Sequence, residues 1–195
     1  MVLQQFKNYL DRFNLPNELQ NSFFQLGKIR AIKKNELLSY PDEVHTKAFF
    51  VLEGGFIIRY WQEKEDWEKT INFHLDNYLP VMVDIHSYFD ESPSHSSILA
   101  IQDSKVIEFP KSKMETFFYQ HPPTLAFFIA TMAHAIQTEH EYRIKLTTLS
   151  KEAVYNYLEL EHNPVVQRVP HKYIAEFIGI TPEWLSKIKS KRRVS

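Results

Sequence analysis

Apolar residues are spaced along this chain in three successive patterns. Over residues 3 to 27 they recur at helical intervals: Phe6, Leu10 and Phe13 stand four and three apart, and Leu15-Pro16 interrupts the run. Short amphipathic helices are predicted there. From Lys28 to about Phe109 the texture is that of strands, with β-branched and aromatic runs separated by turn-rich pieces such as SYPDEVH and DESPSHS. The segment KAFFVLEGGFIIRYW places two such runs around Glu53-Gly54-Gly55, which predicts a β-hairpin. EKTINFHL, SSILAIQ and SKVIEFP supply further strands. Many short strands at this spacing predict a small sandwich or barrel.

At Lys111 the pattern turns helical. SKMETFFYQHPP predicts a short helix ended by Pro122-Pro123, and a long helix follows from about Thr124 to Thr147. Phe128, Met132, Ala135, Tyr142, Leu146 and Leu149 form its stripe, with Glu139 as the imperfect member of the row. A lone helix of this length usually needs a partner for its stripe. The stripe is therefore expected to pair, at one end, with a second copy of the chain; packing on its own β-region is the alternative. SKEAVYNYLELEH then predicts a helix capped by Ser150 and stopped by Asn163-Pro164.

The last predicted pair of helices carries the chemistry. In HKYIAEFIGITPEWLSKIKSKRR, Ile174, Phe177 and Ile178 supply the buried face of a first helix, with the small Ala175 among them. Gly179 can turn left-handed just past its end. Thr181 can cap a second helix, Pro182 fits its first position and Glu183 sits beside the positive end of its dipole. Leu185 and Ile188 face back. Helix, glycine turn, helix is the helix-turn-helix arrangement, although an ordinary αα-corner shares the same spacing. The outer face of the second helix, Glu183, Ser186, Lys187, Ser190 and Lys191, favours DNA over a corner. Lys187 could donate to guanine and Glu183 could accept from a cytosine amino group, with Ser186 a weaker reader. Thr181, Lys189, Ser190, Lys191, Arg192 and Arg193 are assigned to phosphates. Trp184 is read as core or support.

Charge sharpens this picture. The formal net charge of the whole chain is -1, which gives no general reason to bind a polyanion. From Arg168 to Ser195, however, seven basic residues stand against only Glu176 and Glu183, and five of them fall between Lys187 and Arg193. Such asymmetry points to an anionic partner at this end. With no cysteine, disulfides, thiolate nucleophiles and cysteine-held zinc or iron–sulfur clusters are excluded. None of the nine histidines forms a helical ligand pair at the i, i+4 spacing, and no glycine-rich phosphate loop is present, so an enzyme and a metal site are not expected. The longest apolar run, TLAFFIATMAHAI, is too short to span a bilayer. The reading is a soluble, cytoplasmic protein with no membrane partner.

VLEGG within a strand-rich region, a long helix and YIAEFIGITPEWLSKIKSK follow one another in an order that resembles the Crp/Fnr family of bacterial transcription regulators over essentially the whole chain. The resemblance implies an α+β fold: a double-stranded β-helix (jelly-roll-like) sensor domain of the cyclic-nucleotide-binding type at 1–115, a linker and dimerisation helix at 116–148, and a helix-turn-helix DNA-binding domain at 149–195. It also implies a homodimer on a near-palindromic duplex, with RNA polymerase as a further partner. Glu183 matches the glutamate of the family's reading helix and Lys187 replaces a later arginine. Pro182 stands where a first arginine would read, so operator preference should differ. In the effector cassette, alignment on Ala100 puts Asp84 for the family's glutamate, and Ser94, His95 and Ser96 for its Arg-Ser/Thr-Ala. Losing the arginine's charge-assisted contact to a buried phosphate costs on the order of a few kcal/mol. Tight cyclic AMP binding is therefore disfavoured and no cofactor is expected. A ligand-sensing or protein-docking module that no longer meets DNA is the alternative reading.

Overall fold

The computed structural model describes residues 2–62 and 67–192. Two helices open the chain, α1 (Val2–Asp11) and α2 (Asn17–Leu26), and bury Phe6, Leu10 and Phe23. Eight strands follow: β1 (Lys28–Ile32), β2 (Leu37–Ser39), β3 (Lys47–Glu53), β4 (Gly55–Gln62), β5 (Trp67–Leu75), β6 (Val81–Met82), β7 (Ser96–Ala100) and β8 (Ser104–Pro110). They form two antiparallel four-stranded sheets, ordered β1-β8-β3-β6 and β2-β7-β4-β5. A short helix, α3 (Ile85–Asp90), separates β6 from β7. The expected jelly-roll-like α+β architecture is present.

The predicted hairpin at Gly54 is not. β3 and β4 lie in different sheets: β3 pairs with β8 and β6, while β4 pairs with β5 and β7. Both edges of β4 are thus satisfied without β3. Gly54 makes the corner at φ 98°, and a β-carbon there would come within 2.1 Å of the Ser104 hydroxyl. The glycine pair marks a crossing between sheets. The true hairpin partner of β4 is β5, paired from Gly55 opposite Leu75 to Gln62 opposite Trp67 with a register shift between Ile58 and Arg59.

Helices complete the chain: α4 (Lys111–Gln120), α5 (Pro123–Thr148), α6 (Lys151–Glu161), α7 (Asn163–Arg168), α8 (His171–Ile178) and α9 (Pro182–Arg192). Ser150 caps α6 as expected, its hydroxyl accepting from the Ala153 amide at 3.2 Å. Much of the stripe read for α5 turns inward, while Leu149 at its end is exposed. Tyr142 is buried and hydrogen-bonded to Tyr78, Phe128 packs against Phe118, and Glu139 accepts from Asn72 at 2.9 Å. The apolar side chains that α5 leaves outward are Leu125, Ile129, Ile136 and Ile144, with Ile129 and Ile136 64% and 62% exposed. Much of the stripe is therefore taken up by packing within the chain, the alternative named for it, because its larger aromatic side chains find partners there first.

One apolar core joins the roll to the C-terminal helices. Ile57, Phe73 and Leu75 of the roll share it with Tyr142, Tyr155, Phe177, Leu185 and Ile188. The Phe177 ring stands edge-on to Phe73 at 4.9 Å and to Tyr142 at 5.0 Å. Polar ties reinforce the junction. Arg168, at the end of α7, forks onto Asp76 and donates to the Gly54 carbonyl at 2.8 Å and to Asn77 at 3.0 Å. Glu176 of α8 accepts from the Thr70 hydroxyl at 2.7 Å and faces Arg59 at 3.6 Å. The position of α8, and through it of α9, is set by the β4–β5 face.

Candidate nucleic-acid interface

α8 buries Tyr173, Ile174, Ala175, Phe177 and Ile178. It ends where Gly179 adopts φ 78°, ψ 46°, the left-handed region that costs glycine nothing. The Gly179 amide donates to the Ala175 carbonyl at 2.9 Å and the Glu176 carbonyl at 3.1 Å, and the Ile180 amide to the Ala175 carbonyl at 3.0 Å, so two of the last four carbonyls of α8 are satisfied. Two residues later the Thr181 hydroxyl accepts from the Trp184 amide at 3.2 Å and starts α9. Leu185 and Ile188 are buried against the preceding helices, which fixes the rotation of α9. Ala175, fully buried, lets the two helices approach.

That rotation leaves Glu183, Trp184, Ser186, Lys187 and Ser190 exposed. The side chains assigned to reading a base thus share one accessible face. Trp184, expected as core or support, is instead 50% exposed, because Leu185 and Ile188 already fill the inner face. Glu183 has a local role as well: its own backbone amide and the Thr181 hydroxyl hold its carboxyl below the usual range. Lys189 donates to the His171 imidazole at 2.6 Å, and burial, followed by the lysine charge, pushes the His171 pKa down. The Ser190 hydroxyl donates back to the Lys187 carbonyl at 3.0 Å. The side chains of Lys191 and Arg192, and all of Arg193, lie outside the described residues.

Three of the four residues expected in an effector cassette bond to one another. Asp84 caps α3 by accepting from the Ser87 amide at 3.0 Å, and its second oxygen accepts from the Ser94 hydroxyl. Ser94 is buried and accepts in turn from the Ser96 amide at 2.8 Å. Asp84, Ser94 and Ser96 are brought together; His95 is exposed and lies beside the Tyr60 ring. The cluster carries a carboxylate and no cation, the reverse of what a phosphate needs. A cavity of about 570 Å³ opens elsewhere, between β5, α1 and α5, and none of these four residues lines it. His74 does. Its Nδ1 donates to the Leu79 carbonyl at 2.7 Å, its Nε2 has no partner, and burial pushes its pKa down to about 4. No group of three or more metal-ligating side chains occurs among the described residues, and no described helix is long and apolar enough to cross a membrane.

Sequence reasoning missed Arg168, Glu176 and the cavity. By sequence Arg168 is one of the C-terminal cations, yet it serves the roll; its partner Asp76 lies far away in the chain, and no local spacing links them.

No protein-family model and no curated protein matches the chain. Solved structures do. FixK2 from Bradyrhizobium japonicum superposes with a TM-score of 0.72 over 86% of this chain and 85% of that one, at 18% identity. The c-di-GMP-responsive global regulator CLP of Xanthomonas campestris gives 0.70 over 92% of each chain at 11% identity. The catabolite activator protein of Thermus thermophilus gives 0.55 over 91% and 83% at 16% identity. These neighbours are Crp/Fnr-family regulators, not enzymes. At such identities the likeness is one of fold, and it is the fold that the order of motifs implied.

Proposed function

We propose that the chain is a sequence-specific DNA-binding transcription regulator of the Crp/Fnr type. The observation that carries the reading is the exposed polar face of α9, where Glu183, Ser186 and Lys187 project from a helix anchored beneath by Leu185 and Ile188. A helix held this way can enter a major groove with readers at its N-terminal end. Thr181, Lys189, Ser190, Lys191, Arg192 and Arg193 supply the phosphate contacts. Residues 1–115 act as the sensor, 116–148 as linker and dimerisation helix, and 149–195 as the DNA-binding domain. The outward Leu125, Ile129, Ile136 and Ile144 on the 26-residue α5 supply the seam of a homodimer. Two readers then meet a near-palindromic site in the cytoplasm, where RNA polymerase is the further partner. The self-satisfied Asp84–Ser94 cluster leaves no cation for a cyclic phosphate, so the roll does not bind cyclic AMP tightly.

A second reading, a small-ligand sensor without DNA binding, is favoured by one feature, the cavity holding the unpartnered His74 nitrogen. Selection from a pool of random duplexes separates the two. A regulator enriches a two-half-site sequence and releases it steeply as salt rises. No enrichment, with binding of a small ligand at the cavity, would replace the first reading by the second.

A further inference from the structure

Gly179, at the bend between α8 and α9, is exposed, and two cations stand over it. The ammonium nitrogens of Lys151 and Lys69 lie 3.6 and 3.8 Å from the point where a β-carbon on Gly179 would stand. Lys151 opens α6, whereas Lys69 belongs to β5 of the roll, so two elements distant in sequence aim like charges at one turn. Among the described residues neither lysine has an ion pair or hydrogen bond. Among the described carboxylates, Glu176 is engaged by Thr70 and Arg59, and Glu68 by Arg59.

The negative end of α8 accounts for one cation there. Its Ala175 and Glu176 carbonyls, however, already accept from the Gly179 and Ile180 amides, and the second ammonium comes from a different part of the fold. Two cations directed at one solvent-facing point repel each other unless an anion lies between them. The turn leads directly to Thr181, the cap of α9, so such an anion adjoins the N-terminal end of the reading helix. We infer that Lys69 and Lys151 together seat one backbone phosphate of the bound duplex at the turn, so that the β-roll itself helps to hold DNA. This rests on the DNA-binding reading above. It also makes DNA affinity sensitive to where the roll sits against the helices, because Lys69 reaches the turn only while β5 and α8 stay packed.

The test measures affinity of the full chain for its selected duplex and for an unrelated duplex across a salt series. Replacing both lysines by alanine should weaken the two duplexes by the same factor and lower the slope of log K against log salt by about 0.9 per bound subunit, the share of one phosphate. Lys69→Ala alone should give part of that loss, and Lys69→Arg should restore it. Both side chains lie outside the apolar core, so circular dichroism should be unchanged. If the double variant keeps the wild-type slope and affinity, the seat is disproved and the regulator reading stands. If the wild-type chain binds no duplex, the regulator reading falls and takes the seat with it. Titration with inorganic phosphate adds a further arm: saturable binding lost in the double variant, with an unchanged DNA slope, would assign the pair to a free anion and overturn the inference.

Discussion

Replacing Arg168 by methionine keeps most of the aliphatic stem and removes the guanidinium that ties α7 to the roll. In the structure that group makes a forked pair with Asp76 and adds bonds to the Gly54 carbonyl and to Asn77. Without it, Asp76 retains the Gly54 amide at 2.9 Å as its nearest donor. Arg168 and Asp76 are 25% and 20% exposed, so solvent recovers part of the loss. Breaking a fully buried pair costs about 3–5 kcal/mol and a hydrogen bond to a charge about 1.5–3, which places this partly exposed fork at about 2–3 kcal/mol. In a chain of this size that lowers Tm by about 5–10 °C. Urea denaturation of Arg168→Met, Asp76→Asn and the double variant forms the cycle that isolates the pair. A coupling of about 2 kcal/mol is expected; one below about 0.5 kcal/mol would refute the fork as a joint between roll and helices.

Three further outcomes are expected of the same molecule. His74 is held neutral by burial with a pKa of about 4 against 6.5 when free, so the unfolded chain takes up its proton first as pH falls. Stability is then complete above pH 6.5 and declines by about 3 kcal/mol on the way to pH 4, as urea titrations should show, and His74→Gln should flatten that decline. For the homodimer proposed above, Ile129→Glu with Ile136→Glu places charges on the outward face of α5, where each isoleucine is worth about 1.5–3 kcal/mol on burial; sedimentation should report a dimer for the wild type and monomers for the variant, and an unchanged state in the variant would overturn that seam. Gly179→Ala forces an alanine into the left-handed region at a cost of about 1–2 kcal/mol, read as a lower urea midpoint with unchanged slope.

Local signals were the most legible. Gly179, Thr181 and Pro182 act within a few residues of themselves, and each stands where its chemistry predicted. Ser150 and the bounds of α5 follow the same logic. Choices that depend on competition in space were not legible. The Gly54-Gly55 pair favours a turn, but only the other strands decide that β4 pairs with β5 and β7. β1 exposes four of its five residues and β6 is two residues long, so neither shows a strand period. The six-residue α3 depends on the Asp84 cap, a role that the sequence does not separate from that of an effector ligand. The offset of Trp184 suggests core or support, yet Leu185 and Ile188 already fill the inner face and the indole is half exposed. Lys69 lies far upstream of the turn it reaches, which no reading of the last helix alone could reveal.

The claim that α9 reads bases is tested most directly by the base-preference profile of Lys187→Ala beside that of the wild-type chain. Loss of discrimination at one position of each half-site, worth about 1–3 kcal/mol, with preference elsewhere unchanged, is the predicted result. A uniform weakening at every position, or an unaltered profile, would contradict it.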